Sequence, residues 1–338
     1  MQRPSLNPGV SLYLDLARIC AAALVLLHHV FGEVNGKRGI WGHAVGGMGS
    51  ITQAMAKEAI ARGVEIVTEA RVASVVTRGG RATGVVLANG DEITARTVIA
   101  NVNPKLLFQQ LVDPQDLEPD FRERIDRYRC GSGTFRMNVA LSELPDFIAL
   151  PGKHPQPHHS AGIVIAPSLD YMERAFSDAR HEGMSRAPIV EILIPSTVDE
   201  TLAPKDMHVA SLFCQQFSPT LPEGRSWDDS REQAADLIID TVNRYAPNFK
   251  ASVLGRKLLS PLDLERDFGL IGGDISHGAL GLDQLFSARP ILGHADYRMP
   301  IKGLYLCGAG AHPGGGVSGA PGHNAAGEIV RDFKRRRV

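Results

Sequence analysis

Near the end of the chain, an apolar run, a glycine-dense loop and a helix-forming segment follow one another without interruption. The stretch 303–326 reads GLYLCGAGAHPGGGVSGAPGHNAA, and seven of the fifteen residues from Gly308 to Gly322 are glycine. Leu304 to Cys307 has the length and apolar character of a buried parallel strand. Glycine permits positive φ and close approach to a ligand, and a helix start offers free N–H groups to an anion or a polarised carbonyl. The stretch therefore predicts a strand, a cofactor or anion loop, and a helix.

The alternative is a loop that only connects the strand to the helix. A simple turn needs fewer glycines than this loop contains. The spacing matches neither G-x-G-x-x-G nor a P-loop with its Gly-Lys-Ser/Thr ending. The residues alone therefore do not identify the cofactor.

The segment YLCGAGAHPGGGVSGAPGHNAA resembles the C-terminal flavin-binding motif of the phytoene desaturase-like flavoproteins, within the flavin amine oxidase group. Within that group it resembles the pyridine nucleotide-disulfide oxidoreductase domain-containing protein 2 type. The segment that begins at His28 resembles the same family; it reads HHVFGEVNGKRGIWGHAVGGMGSITQAMAKEAIARG. The resemblance covers His28 to about Arg335 and implies FAD as the cofactor.

The resemblance also implies which residues contact FAD. Those near the pyrophosphate and ribityl chain are Gly308, Ala309 and Gly310. Those beside the isoalloxazine ring are Gly315, Gly316, Val317 and Ser318. Val72 would bond the adenine through its backbone, with a plain core strand valine as the alternative.

The resemblance further implies an α/β plus α+β fold. An incomplete FAD-binding domain, Rossmann-like and of the glutathione-reductase type, would carry an inserted antiparallel-sheet substrate domain. Residues 31–130 and 261–338 would form the FAD-binding portions, and residues 131–260 the substrate or cap domain. In the first portion, a helix at 51–62 with apolar Ile51, Met55 and Ile60 on one face and a strand at 64–67 are expected.

The inserted region lacks the rhythm of a parallel sheet. Strands are expected at 134–141, 162–166, 189–194 and 209–213, and helices at 169–180 and 231–245. Just before the flavin loop, Asp274 and His277 are the best polar candidates for catalytic proton transfer. Their alternative role is to cap turns and bond the backbone.

Residues 1–30 form an atypical apolar segment whose apolar run, Ile19 to Leu27, is too short to span a bilayer, which takes roughly 20 residues. A buried or free helix is the main interpretation. A membrane anchor is the alternative.

The net charge and the spacing of the cysteines indicate which binding partners and which compartment to expect. The net charge is −1, so no nucleic-acid partner is implied. The four cysteines are far apart in sequence, and His154, His158 and His159 have no cysteine or carboxylate spacing beside them, so no metal site is predicted. Widely spaced cysteines fit a reducing compartment, so a cytoplasmic location is expected, with membrane association as the alternative.

No G-x-G-x-x-G follows a strand in the first hundred residues, where this family normally begins with one. The chain is therefore expected to be a truncated or rearranged member. Two functions follow: an FAD-dependent oxidoreductase that removes hydride from an apolar organic substrate, or a non-catalytic remnant that no longer binds FAD. Substrate, electron acceptor and oligomeric state stay open.

Overall fold

The computed structural model describes residues 33–34, 37–38, 43–152 and 154–335. The predicted segment 1–30 lies outside the described residues. The strands are β1 (Glu33–Val34), β2 (Lys37–Arg38), β3 (Val72–Arg78), β4 (Arg81–Leu87), β5 (Glu92–Thr94), β6 (Val98–Ala100), β7 (Phe135–Leu141), β8 (Ile163–Ile165), β9 (Met184–Leu193), β10 (His208–Phe217), β11 (Val253–Leu259) and β12 (Leu304–Leu306).

The α-helices are α1 (Gly49–Ala61), α2 (Pro104–Leu106), α3 (Pro119–Asp126), α4 (Leu169–Glu182), α5 (Trp227–Tyr245), α6 (Phe249–Ser252), α7 (Pro261–Phe268) and α8 (Ala320–Lys334). A turn of π-helix, Leu107–Leu111, continues α2. Among the helices of the described ranges, none is both long enough and apolar enough to cross a bilayer.

A five-stranded sheet forms the larger part of the fold. Its order is β11-β7-β10-β9-β8, and every neighbouring pair is antiparallel. Along β7, buried and more exposed residues alternate, and the buried ones pack with α5 into one hydrophobic cluster. Helix α5 begins where the Ser226 hydroxyl accepts a hydrogen bond from the Asp228 N–H, and Asp228 and Asp229 lie at the positive end of its dipole. Full burial of a side chain such as Ile238 contributes about 1.5–3 kcal/mol.

The opposite face of this sheet is open along β7 and β10. Asn138 and Ala140 are exposed there, and Arg136, Ser211 and Phe213 are half-buried. Helix α4 lies along the free edge of β9, since the Tyr171 hydroxyl donates to the Pro188 carbonyl and the Asp178 carboxylate accepts from the backbone N–H of residue 186. The helix thus covers an edge that β8 is too short to pair.

A smaller part of the fold holds the glycine-rich loop. Strand β12 pairs in parallel with β6, and the antiparallel meander β3-β4-β5 meets them through a bridge between Arg81 and Lys302. A second hydrophobic cluster covers β12, α8 and the segment from α2 to α3. This cluster holds the start of the glycine loop in place.

Three expectations about elements differ from the structure. The strand expected at 64–67 does not form, because no described strand pairs with it, and Val64, Ile66 and Val67 are exposed. Helix α1 forms, but none of its residues is buried, so its predicted apolar face has no packing partner in the described ranges. Strand β11 was not predicted, because Gly255 and charged neighbours interrupt its apolar pattern. It forms because its backbone pairs with β7.

Candidate functional site

The predicted order of strand, glycine loop and helix is present at the end of the chain. All three residues of β12 are buried, and α8 follows the loop for 15 residues. The loop between them, residues 307–319, divides into two halves with different surroundings.

The first half of the loop is packed against the segment that follows β6. A Cβ added at Gly308 would lie 1.7 Å from Asn101 Oδ1, and one at Gly310 would lie 2.8 Å from Pro104 Cδ. Glycine is therefore required at both positions by contact within the chain. The segment from Asn101 to Pro104 therefore packs against the first half of the loop.

The second half of the loop faces open space. A Cβ added at Gly316 or Gly319 would meet no atom within 4 Å, although both residues have positive φ. Between them, Val317 has a φ of 56° and its side chain is 92% exposed. Positive φ is strained for a β-branched residue, and such strain is concentrated at functional sites. Packing among the described residues does not explain these conformations, and the open space beside them leaves room for a ligand.

Helix α8 directs its N-terminus at the same loop. Its N-cap residue is Gly319, which has no side chain to cap the helix, and no acidic residue lies in the first turn. The Ser318 hydroxyl accepts a hydrogen bond from the Ala320 N–H at 3.3 Å. The positive end of the dipole is thus available to an electron-rich group.

A charged network fixes α8 against β12. The Arg298 guanidinium donates to both carboxylate oxygens of Asp332, at 2.6 and 3.0 Å, and to Glu328 at 2.8 Å. The Tyr305 hydroxyl donates to Asp332 at 2.7 Å, and burial together with the Asp332 carboxylate raises the pKa of Tyr305 to about 12. A bidentate pair of this kind holds the helix in one orientation.

Arg289 lies fully buried beneath the loop. Its Nε donates to the Ala309 carbonyl at 2.9 Å, and its Nη atoms donate to the carbonyls of Gln284 at 3.1 Å, Gly278 at 3.5 Å and Ser276. One side chain thus joins the glycine loop to the segment 276–284. Nothing in the sequence distinguishes Arg289, since an isolated arginine before a proline forms no recognisable pattern.

Asp274 and His277, the predicted proton-transfer candidates, lie in this joined segment. Asp274 is fully buried, and its two oxygens accept from the N–H groups of Gly131 and Ser276 at 2.7 and 2.8 Å. This is the turn-capping role that the sequence left open as the alternative. The carbonyl of His277 accepts from the Tyr128 hydroxyl at 2.9 Å.

The His277 ring is available for chemistry. Its Nδ1 is buried and has no hydrogen-bond partner among the described residues. Burial lowers the pKa of His277; the Asp274 carboxylate opposes this shift and the Arg289 charge adds to it. The imidazole is therefore neutral near pH 7 and can accept a proton.

Val72 begins β3 in the meander, opposite Leu87, and is half-buried. Its predicted contact with the adenine stays a prediction, as do the predicted contacts of the loop residues. In the described part of the chain, no group of three or more His, Cys, Asp or Glu side chains is placed to hold a metal ion.

The residues present fit FAD. The open glycines offer a backbone surface that a planar ring can approach, and the helix start offers the positive end of its dipole and the N–H of Gly322, because Ala320 donates to Ser318 and Pro321 has no N–H. The Nδ1 atom of His312, within the loop, is buried without a hydrogen-bond partner among the described residues. A bound group with polar atoms would satisfy it.

Comparison with known proteins agrees with this fit. The model of the family "flavin containing amine oxidoreductase" matches residues 5–330. The rat (Rattus norvegicus) pyridine nucleotide-disulfide oxidoreductase domain-containing protein 2 is 46% identical over 316 residues, which cover 92% of this chain and 54% of the rat protein. A lycopene-forming phytoene desaturase of Paracoccus is 26% identical over 294 residues, covering 84% of this chain and 53% of the desaturase. The chain spans about half the length of these curated relatives.

A solved structure shows the same fold. An oxidoreductase from Methanosarcina mazei superimposes with a TM-score of 0.56 at 16% identity, over 85% of this chain and 55% of that protein. The resemblance read from the glycine loop is thus confirmed at the level of the family, whose cofactor is FAD. The chain belongs to the flavin-containing amine oxidoreductases.

Proposed function

We propose that the protein is an FAD-dependent oxidoreductase of the dehydrogenase or desaturase type, which removes hydride from an apolar organic substrate. The observation that carries this proposal is the open half of the glycine loop. Gly316 and Gly319 have positive φ and no neighbour within reach of a Cβ, and they lie at an uncapped helix start. A ligand with a flat face and an electron-rich edge accounts for all three features.

Different loop residues bind different parts of the cofactor. Gly308, Ala309 and Gly310 bind the pyrophosphate and ribityl chain, while Gly315, Gly316, Val317 and Ser318 lie beside the isoalloxazine. Val72 bonds the adenine through its backbone. When bound, FAD supplies a ring that takes up hydride. The N-terminus of α8 then stabilises the negative charge that develops on that ring.

His277 holds or accepts the proton that leaves the substrate as hydride is removed. Support comes from its buried, unpartnered Nδ1 and from the burial that lowers the pKa of the ring. Asp274 positions the segment by capping its backbone and keeps a negative charge nearby.

An apolar substrate is supported by the relatives and by the open face of the large sheet. The Paracoccus relative is a phytoene desaturase that forms lycopene, and both compounds are hydrocarbons. The open face carries half-buried Leu193, Val209 and Phe213, which a hydrocarbon could cover.

The test compares two glycine substitutions with matched backbone geometry. Gly319 has a φ of 71° and Gly224 a φ of 70°, and neither has an atom within 4 Å of an added Cβ. Gly319→Val and Gly224→Val should therefore destabilise the chain similarly. Only Gly319→Val should weaken FAD binding, by about tenfold or more, as measured by titration of flavin fluorescence.

Two outcomes would contradict the proposal. One is equal loss of FAD affinity in both variants. The other is an unaltered chain that stays colourless after incubation with FAD and removal of excess, which would support the non-catalytic alternative.

A further inference from the structure

A single arginine occupies the open face of the five-stranded sheet. Arg136 points away from α5, because its neighbours Phe135 and Met137 fill the buried cluster on the other face. Its guanidinium lies 5.2 Å from the centre of the Phe213 ring and donates to Ser211 Oγ at 3.0 Å. Stacking and this hydrogen bond hold the side chain in one place.

Among the described residues, no Asp or Glu oxygen forms an ion pair with the Arg136 guanidinium. Burial lowers the pKa of Arg136, and the Cys214 thiol and the Glu191 carboxylate oppose this shift. Glu191 lies in the same cross-strand row, but on the far side of Phe213, since Arg136 is opposite Phe213 and Phe213 is opposite Glu191. Most of the guanidinium's N–H donors are therefore available to an external anion.

The surface around Arg136 mixes apolar and polar side chains. Leu259 of β11 is opposite Arg136 in register, and Leu193 of β9 lies one row away, opposite Ser211. Lys257 is opposite Asn138 in that next row and adds a second positive charge on the same face. The face thus places two cations beside aliphatic side chains, with the Glu191 carboxylate on the far side of Phe213.

Arg136 lies near the end of the sheet that joins the flavin segment. Gly131 donates its N–H to Asp274 at 2.7 Å, and Asp274 belongs to the segment that Arg289 joins to the flavin loop. Five residues separate Gly131 from Arg136, so their Cα atoms are at most about 17 Å apart. A ligand held by one end at Arg136 can therefore extend a long body toward that segment.

We propose that Arg136 binds the carboxylate of a substrate whose remaining body is a long apolar chain. The planar fork of guanidinium matches a carboxylate in a bidentate pair, and the neighbouring aliphatic side chains cover the hydrocarbon. This inference rests on the proposed function, since it names the substrate class of the same site: long-chain organic acids rather than plain hydrocarbons. The headgroup fixes one end of the chain, and the distance to the loop selects the C–H bond presented to the flavin.

The experiment measures binding of dodecanoate and of methyl dodecanoate to the full chain by calorimetry. The two probes share a body and differ in charge. Dodecanoate should bind at least about tenfold more tightly, because a hydrogen-bonded charge pair is lost with the ester. Arg136→Gln should remove this preference, and Arg136→Lys should retain part of it.

Arg244→Gln is the matched control. Arg244 also donates to a hydroxyl, that of Thr241 at 2.9 Å, but it lies on α5, on the other side of the sheet. This variant should keep the preference for the acid. Equal affinities for acid and ester, no binding of the acid, or an unchanged preference in Arg136→Gln would overturn the inference.

A parallel FAD titration separates this inference from the proposed function. FAD binding without a preference for the acid would overturn the inference alone. A preference for the acid in a chain that does not bind FAD would overturn the proposed function, while the anion site at Arg136 would stand.

Discussion

Arg289 has the greatest volume among the side chains that the described fold buries completely, and every hydrogen bond it donates goes to a backbone carbonyl. A cation buried this way is tolerated only while its donors are satisfied, and the carbonyls in turn depend on it. The flavin loop and the segment carrying His277 therefore share one structural support.

We expect Arg289→Met to lower the free energy of unfolding by roughly 2–4 kcal/mol, because several buried carbonyls would lose their donor. Arg289→Lys should recover only part of the loss, since an ammonium cannot reach all four acceptors. Urea denaturation measures both. The control is Arg129→Met, which removes an exposed pair with Asp283 and should cost less than about 1 kcal/mol. Equal losses of free energy of unfolding for Arg289→Met and Arg129→Met would show that Arg289 contributes no more to stability than an exposed ion pair does.

Among the elements, α1 and α5 contrast most clearly. Both were predicted as amphipathic helices, and both form. Eight residues of α5 are buried, whereas none of the 13 residues of α1 is. An isolated helix of about this length is marginal in water, so α1 is held mainly by its own hydrogen bonds and by the Gly46 N–H that donates to Asp199 at 2.8 Å.

This contrast predicts different mutational costs. Met55→Ala in α1 should change the free energy of unfolding by less than about 0.5 kcal/mol, because Met55 buries little. Ile238→Ala in α5 should cost about 2–5 kcal/mol, because Ile238 is fully buried in the main cluster. Chemical denaturation of the two variants provides the comparison. A large cost for Met55→Ala would mean that α1 is packed in solution.

The same elements show what could be predicted from the sequence. The strand, loop and helix at 304–334 were predictable because their signals are local: an apolar run, glycines and a helical segment. The strand at 64–67 was wrongly predicted because a strand needs a partner, and the pattern of one segment does not reveal whether a partner exists. The Arg289 contacts were beyond sequence reasoning, since the carbonyls at 276, 278, 284 and 309 converge only in the fold.

In the molecule as a whole, polar contacts tie the segment that follows α3 to the segment 274–277. The Gly131 N–H donates to Asp274, and the Tyr128 hydroxyl donates to the His277 carbonyl. Burial raises the pKa of Tyr128 to about 12, and burial likewise raises the pKa values of Tyr171 and Tyr305 to about 12. Tyr128 and Tyr305 are buried and Tyr171 is half-buried, so all three phenols are at least partly shielded from water.

These shifts predict alkaline instability. Each phenol has a higher pKa in the folded chain than in the unfolded chain, where it is near 10. The folded state thus holds more protons between pH 10 and 12, so the contribution of the phenols to stability should be constant below about pH 9 and fall as the pH rises through that window. Urea unfolding measured at successive pH values tests this, and Tyr305→Phe should make the fall less steep. A fall that begins near neutrality, or the same slope in Tyr305→Phe, would rule out the phenols as its cause.

The two halves of the glycine loop have a consequence for natural variation. At Gly308 and Gly310 a new side chain collides with the chain's own atoms, so substitutions there reduce how much folded protein a cell accumulates. At Gly316 and Gly319 an added Cβ meets no described atom within 4 Å, so substitutions there strain the backbone without a collision, and they should lower abundance less while weakening cofactor binding. Inherited variants a few codons apart would therefore produce two different biochemical phenotypes: loss of the protein, and loss of its cofactor.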